Sequence, residues 1–326
     1  MLNLDRLRVL HAVAAAGSVV GAARSLHVTT SAVSQQVARL EREVDQPLVE
    51  RYGRGIRLTP AGLRLSRAAG DLMAQVERIE SDLAAHRDAV SGPVTVAAFA
   101  TAARAFFPRV LRDLRERHAR LCVSTHEQEP HEAVPALIRG DLDVAVVQDW
   151  PGAALTIPPA LSRTDLVDDV FDLAVPADSH LAVPADSHLA VPADSRLAVA
   201  TDARLAVAAD ARLAAGVALA DLRAEEWIGW SGGQVCHDWL VRTLWADGGG
   251  PTPRHTASEH ATQLALVAAG AGIALIPRLG RDPGPPSVRF VPVDPPPIRR
   301  VFALWRASTT DRPAIGAVLS ALRAAA

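Results

Sequence analysis

No lysine occurs anywhere in the 326 residues, so all 34 basic side chains are arginine. The substitution runs through every region alike and reflects genomic base composition rather than local chemistry. Cysteine is nearly absent too. Cys122 and Cys236 stand 114 residues apart with no pairing partner nearby, which fits reduced structural thiols and excludes a disulfide framework. No apolar run is long enough to span a bilayer: the longest, Leu264 to Ile276, has 13 residues where about 20 are needed. The opening MLNLDRLRVL carries Asp5 and lacks the apolar core of a secretory signal, so a cytoplasmic protein with no membrane partner is expected. P-loop, dinucleotide and metal-ligand signatures are missing as well. The triplet Cys236-His237-Asp238 holds suggestive residue types, but neighbours on a helix point about 100° apart and cannot form a chain of nucleophile, base and orienter. Catalytic residues, bound metal and cofactor are therefore not expected, and the chain does not read as an enzyme.

What is present is an ordinary globular composition, 49% apolar and 21% charged, long enough for two or three domains. The net charge of −2 conceals an asymmetry. Residues 1–67 carry ten arginines against five acids, a net of +5, while the remaining 259 residues carry twenty-four against thirty-one. A basic head on an acidic body suits a nucleic-acid reader whose other domains must stay off nucleic acid.

The head is organised around residues 17–43, which read as two helices joined by a tight turn at His27-Val28. On the second helix, Thr30 to Glu43, Val33, Val37, Leu40 and Val44 share one narrow stripe. Opposite them lie Ser31, Gln35 and Arg42, flanked by Ser34 and Arg39, the hydroxyl, amide and guanidinium groups that read base edges and phosphates. Ala22 and Ala23 on the first helix allow a close approach, and Thr29 is placed to cap the second. Helix one, Leu4 to Ala16, repeats apolar residues toward this pair. After Pro47, LVERYGRGIRLTP reads as a two-stranded wing with Gly53 and Gly55 at its tip and Arg51, Arg54 and Arg57 upon it. Such arginines add affinity and salt dependence more than sequence choice.

Pro60 opens a long helix, Ala61 to Ala89, about 43 Å in length. Its apolar positions Leu65, Ala69, Leu72, Val76, Ile79, Leu83, His86 and Val90 are spaced 4,3,4,3,4,3,4. That is a heptad seam, and it implies a partner helix. Beyond Ser91-Gly92-Pro93, strand and helix patterns alternate: PVTVAAFA and its helix, LCVSTHEQEP, HEAVPALIRGDL, DVAVVQDW, then EEWIGWSG, HDWLVRTLWADGG, HATQLALVAAGAG, IALIP and PAIGAVLSALRAAA. Alternation of this kind builds parallel sheet covered by helices.

The segments NLDRLRVLHAVAAAGS, AARSLHVTTSAVSQQVARLE, PLVERYGRGIRLTPAG and HATQLALVAAGAGIALIP resemble the LysR-type transcriptional regulators, and the resemblance covers nearly the whole chain. Val19 departs from it where a bulky aromatic is usual, as does Thr30 where Pro or Gln is common. It implies an all-α winged helix-turn-helix domain over residues 1–60, a linker and dimerisation helix over 61–90, and an α/β effector domain of two periplasmic-binding-protein-like lobes. Lobe one takes 91–164 and 301–326, lobe two 165–300, with extended crossings near 161–175 and 288–306. The implied partners are double-stranded DNA, a small-molecule effector held between the lobes, and further copies of the chain as homodimer or homotetramer. The expected DNA-binding residues are Thr30, Ser31, Ser34, Gln35, Arg39, Arg51 and Arg54, and the expected dimerisation residues Leu65, Leu72, Val76, Ile79 and Leu83. Effector-binding residues are sought where strands give way to helix N-termini, whose exposed amides favour anions. These are Thr101, Ala102, Gln128, Gln148, Ser231, Gly232, Ser258 and Glu259. An enzyme or a ligand-binding protein fused to a helix-turn-helix head is the alternative.

One stretch stands apart. From Leu173 to Arg212 an eight-residue unit occurs five times, LAVPADSH, LAVPADSH, LAVPADSR, LAVATDAR and LAVAADAR. One copy is usual in the resembled family, so four surplus copies, 32 residues, read as duplication; without them the chain has 294 residues. Asp178, His180, Asp186 and His188 do not read as a metal array, because His is lost from the third unit and an eight-residue period drifts about 80° per unit on a helix.

Overall fold

Asn3, Ser18 and Thr29 each begin a helix by turning a side-chain oxygen back onto a free backbone amide, of Arg6, Gly21 and Ala32 respectively, at 3.0–3.2 Å. The helices are α1 (Leu4–Ala16), α2 (Val19–Ser25) and α3 (Thr30–Val44). They come from a computed structural model that describes residues 2–53, 55–85, 90–179, 181–182, 216–232, 235–244, 253–281 and 284–326. The turn between α2 and α3 puts His27 at φ 53°, and Gly17 ends α1 at φ 64°. Ala22 and Ala23 are buried against Ala12, Val13, Val33 and Val37. Small side chains at 22 and 23 are what let these helices close on one another.

Strands β1 (Val49–Tyr52) and β2 (Gly55–Leu58) form the antiparallel wing, pairing Glu50 with Arg57 and Tyr52 with Gly55. The carboxylate of Glu41 on α3 accepts the amides of Leu48 and Val49 at 2.8 and 3.2 Å, so α3 and the wing are joined directly. Thr59 accepts the Gly62 amide and donates to the Pro47 carbonyl, which starts α4 (Pro60–Ala85). Gly62 has no alternative, since a Cβ there would fall 2.0 Å from the Leu48 carbonyl oxygen. Residues 86–89, read from the sequence as the end of this helix, lie outside the described residues.

The chain divides into two compact units, Met1–Val147 with Thr156–Leu166 and Phe302–Ala326, and Gln148–Leu155 with Val167–Val301. In the first, β3 (Gly92–Ala98) pairs in parallel with β4 (Leu121–Glu127) and with β5 (Val144–Asp149). Helices α5 (Ala100–Arg117) and α6 (Pro130–Arg139) make the crossovers, the β-α-β-α-β order that the alternating pattern predicts.

In the second unit, β9 (Ala274–Pro277) and β10 (Val288–Val291) both pair antiparallel with β6 (Leu161–Pro176). Short strands β7 (Ile228–Gly229) and β8 (His255–Thr256) pair in parallel, and helices α7 (Val235–Leu244) and α8 (His260–Ala268) complete the unit. Its core is aromatic: the Trp239 ring lies 4.7 Å from Phe171 and 5.9 Å from Trp150, centroid to centroid. Chain passes between the units along β6 and along β11 (Ile298–Arg306), while α9 (Pro313–Ala325) closes the first unit.

Two expectations need correction. The crossing expected over 288–306 is two strands, because Pro295, Pro296 and Pro297 supply no amide donors between β10 and β11. EEWIGWSG forms only the short strand Ile228–Gly229, with Trp227 adding a single parallel bridge to Ile273, while the buried Trp227 turns its Nε1 back to the Leu222 carbonyl. Of the octapeptide segment, only residues 173–179, 181 and 182 are described; the other copies, with His180, Asp186 and His188, fall outside.

Candidate nucleic-acid interface

Helix α3 has one face in the core and one in solvent. Val33, Val37 and Leu40 are at most 4% exposed, and Val44 is half-buried against Leu48 and Leu10. Thr30, Ser31, Ser34, Gln35, Arg39 and Arg42 lie on the solvent side. The hydroxyl of Ser34 donates to the Thr30 carbonyl at 2.9 Å, and that of Ser31 pairs with Thr29 Oγ1 at 2.9 Å. Both serines therefore have partners within the helix start. Gln35 and Arg39 make no side-chain hydrogen bond among the described residues, and they line a shallow groove with Ala38, Glu41, Arg42, Asp45, Gln46 and Pro47, Glu41 turning its carboxylate to the Leu48 and Val49 amides. Their bidentate groups stand ready for an external acceptor and donor pattern, which is what base-edge readout requires.

The wing's three arginines are not equivalent. Arg51 is exposed and has no ion pair or hydrogen bond among the described residues. Arg57 is held by Glu50, Nε to Oε1 at 2.6 Å, with its guanidinium 4.8 Å from the centre of the Tyr52 ring. Its charge is thus matched by a neighbour, which removes it from the cluster of free cations that the sequence groups together. Arg54, at the tip, lies outside the described residues.

Along α4 the heptad seam splits. Leu65 and Ala69 pack with Leu7, Leu10, Leu40 and Leu48 in the core of the head, so Leu65 belongs to that core rather than to a free seam. Further on, Leu72, Val76, Ile79 and Leu83 are 49%, 37%, 50% and 60% exposed, an apolar stripe left open among the described residues.

The expected effector residues are scattered through the two units. In the first, Thr101 and Ala102 sit in the opening turn of α5 with their side chains buried. Gln128 follows β4, its amide donating to the Ala98 carbonyl at 3.0 Å, while its Oε1 is buried with no hydrogen-bond partner among the described residues. In the second unit, Gln148 is buried and its Oε1 accepts from Arg299 at 2.6 Å. Ser231 donates to Thr256 at 3.3 Å, Gly232 and Ser258 are exposed, and Glu259 is the exposed cap residue of α8.

Sequence reasoning misses the charged pairs that fix this second unit. Arg299 and Asp169 pair at 2.7 Å with both side chains at most 3% exposed, and Arg300 reaches Asp149 at 2.7 Å. Arg278 and Arg281 share Asp172; the hydrogen bond to Asp172, outweighing burial, raises the Arg278 guanidinium above its ordinary value. Partners more than 100 residues apart leave no local signature.

Comparison with known proteins agrees with this geometry. Residues 4–63 match the bacterial regulatory helix-turn-helix proteins of the lysR family, and residues 87–203 and 193–326 both match the LysR substrate binding domain. The Hydrogen peroxide-inducible genes activator of Pectobacterium carotovorum subsp. carotovorum is 25% identical over 305 residues, 93% of this chain and 89% of that one. The Nitrogen assimilation regulatory protein nac of Escherichia coli (strain K12) is 33% identical over 168 residues, 51% and 54% of the two chains. The Probable RuBisCO transcriptional regulator of Cyanidioschyzon merolae is 29% identical over 177 residues, 54% and 57%. The chain thus spans about half the length of the last two regulators. Among solved structures, a full-length OxyR variant from Pseudomonas aeruginosa superposes with a TM-score of 0.62 at 21% identity, over 99% and 98% of the chains. Full-length BenM does so with 0.55 at 23%, over 99% and 96%. No helix among the described residues is long and apolar enough to cross a membrane. With both of its characteristic domains matched across most of its length, the chain belongs to the LysR family of bacterial regulatory helix-turn-helix proteins.

Proposed function

We propose that this protein is a sequence-specific, DNA-binding transcriptional regulator that works in the cytoplasm, dimerises through α4 and responds to a small-molecule effector bound by its C-terminal domain. One observation carries the reading: α3 holds Gln35 and Arg39 uncommitted on its solvent side, above a buried Val33, Val37 and Leu40 base. In a family of helix-turn-helix regulators that face is the reader of base edges. Thr30, Ser31, Ser34, Arg51 and Arg54 complete the set expected to touch DNA. The exposed stripe Leu72, Val76, Ile79 and Leu83 supports dimerisation, since a second copy of α4 buries it and places two α3 helices on a two-fold related site. Thr101, Ala102, Gln128, Gln148, Ser231, Gly232, Ser258 and Glu259 are the candidates for the effector, and none of the chemistry requires a cofactor.

The repeated octapeptide is read as an expansion within the second lobe. The two matches to the substrate-binding domain overlap at residues 193–203, inside the repeats, which supports that reading. Footprinting of the DNA upstream of the protein's own gene tests the function: a protected two-fold related site supports it, and uniform binding to every sequence at matched salt overturns it.

A further inference from the structure

The chain has a single tyrosine, and its placement is unusual in three ways. Tyr52 ends strand β1 at the mouth of the wing hairpin and is 64% exposed. Its cross-strand partner is Gly55, which has no side chain to lie over the ring. The chain then turns at Gly53 with φ 56°, leaving the ring at the free end of the hairpin.

The side chain is also held. The Arg57 guanidinium lies 4.8 Å from the ring centre, a cation–π contact. Arg57 is itself anchored by Glu50, its own cross-strand partner, at 2.6 Å. Glu50, Arg57 and Tyr52 occupy one face of the ribbon, whereas Ile56, the partner of Arg51 on the other face, packs against the head's core. The Tyr52 hydroxyl makes no hydrogen bond among the described residues. A ring in contact with Arg57 and with an unspent donor therefore projects from the part of the head that is richest in arginine. Ordering a phenol involves only two torsions, so the cost of fixing it in a complex is small.

We propose that Tyr52 is a DNA-contacting residue of the wing, its hydroxyl donating a hydrogen bond to a backbone phosphate beside the site read by α3. The inference rests on the DNA-binding reading above. Phosphate is the favoured acceptor because hydroxyl donors commonly position a protein on the duplex this way. Insertion between base pairs, which needs both ring faces, is disfavoured because one face is taken by Arg57. A neutral donor displaces no condensed counterion, so this contact adds affinity without adding to the salt dependence, in contrast to Arg51.

The full-length protein carrying 3-fluorotyrosine gives one fluorine resonance, since only position 52 is labelled. That resonance is expected to shift on saturation with the footprinted duplex. Tyr52→Phe, which removes only the hydroxyl, is expected to weaken binding to operator and random duplex alike by about 3- to 10-fold, with the slope of log K against log salt unchanged. Arg51→Ala is expected to flatten that slope by about one. Replacing single phosphates by methylphosphonate should locate one position whose neutralisation weakens the wild type and leaves Tyr52→Phe unaffected. Equal affinity of Tyr52→Phe and wild type, or a fluorine resonance unmoved by saturating operator, overturns the assignment while the DNA-binding reading stands. A wild type that binds no duplex overturns both.

Discussion

The Arg306 guanidinium rests on the Glu77 carboxylate at 2.9 and 3.1 Å, joining the end of β11 to the middle of α4 across 229 residues of sequence. Arg306 also donates to the carbonyls of Leu137 and Leu142. Ser308 donates to the same Glu77 carboxylate, and Asp143, 3.5 Å from Arg306, takes Arg312 at 3.1 Å and the Thr95 amide at 2.8 Å. Removing Arg306 leaves the partly buried Glu77 carboxylate with Ser308 as its remaining donor and takes the guanidinium from the Leu137 and Leu142 carbonyls, while Asp143 keeps Arg312 and the Thr95 amide. Arg306→Ala is expected to cost about 3 kcal/mol, and Glu77→Gln, which keeps an acceptor, about 1 kcal/mol. Denaturant unfolding of both variants checks the order; equal stability of Arg306→Ala and wild type contradicts it.

Gln35 and the wing arginines should separate by kind of effect. Gln35→Ala is expected to lose about 1–3 kcal/mol at one base position and so relax sequence preference. Arg54→Ala is expected to weaken binding to all sequences alike and flatten the salt slope. Competition between operator and random duplex reads both, and an unchanged preference in Gln35→Ala removes that residue from base readout.

The α4 stripe makes a prediction about assembly. Leu72→Glu or Ile79→Glu puts a charge where the partner helix offers no counterpart, so each should yield a folded monomer with poor operator binding. Leu72 and Ile79 are about half exposed in the single chain, so the substitution has little to disturb within it. Sedimentation of either variant as an intact dimer sinks the coiled-coil reading.

Deleting Leu181 to Arg212 should leave a folded, dimeric, operator-binding protein of 294 residues. Leu181 and Ala182 pack against the aromatic core of the second unit, and the deletion brings Leu213 and Ala214 into their places behind His180. The sequence contacting the core is thus restored. No aromatic occurs between Asp172 and Glu226, so the removed segment has little large apolar surface to bury, and shortening a connection changes closure entropy only logarithmically. Thermal unfolding and operator affinity beside the full chain provide the check. A large fall in either would show that the repeats have been taken into the structure.

Periodicity makes much of this fold legible in advance. The valines of α3 recur at helical spacing, so its buried and exposed faces follow from the sequence alone, and the β-α alternation foreshadows the parallel arrangement of β3, β4 and β5. The same logic overreaches on α4, where one 4,3 repeat serves two surfaces: Leu65 and Ala69 face α1, and Leu72 onward face solvent. A repeat records that a stripe is apolar, not what covers it. Within the candidate interface, exposure of Gln35 and Arg39 follows from helix phase. The neutralisation of Arg57 depends on strand register with Glu50, and the Arg299–Asp169 and Arg306–Glu77 pairs depend on tertiary closure, so composition and spacing carry no trace of them.

The packing of Ala61, Leu65 and Ala69 under Leu7, Leu10, Leu40 and Leu48, with the His11 ring donating to the Ser66 carbonyl at 3.1 Å, also bears on synthesis and recombination. As the chain emerges from the ribosome, the reader cannot finish its core until the segment through about residue 70 has followed it. A transcript cut at residue 60 encodes a helix-turn-helix with four leucines open to water. Grafting this reader onto another body therefore requires carrying the opening turns of α4 with it.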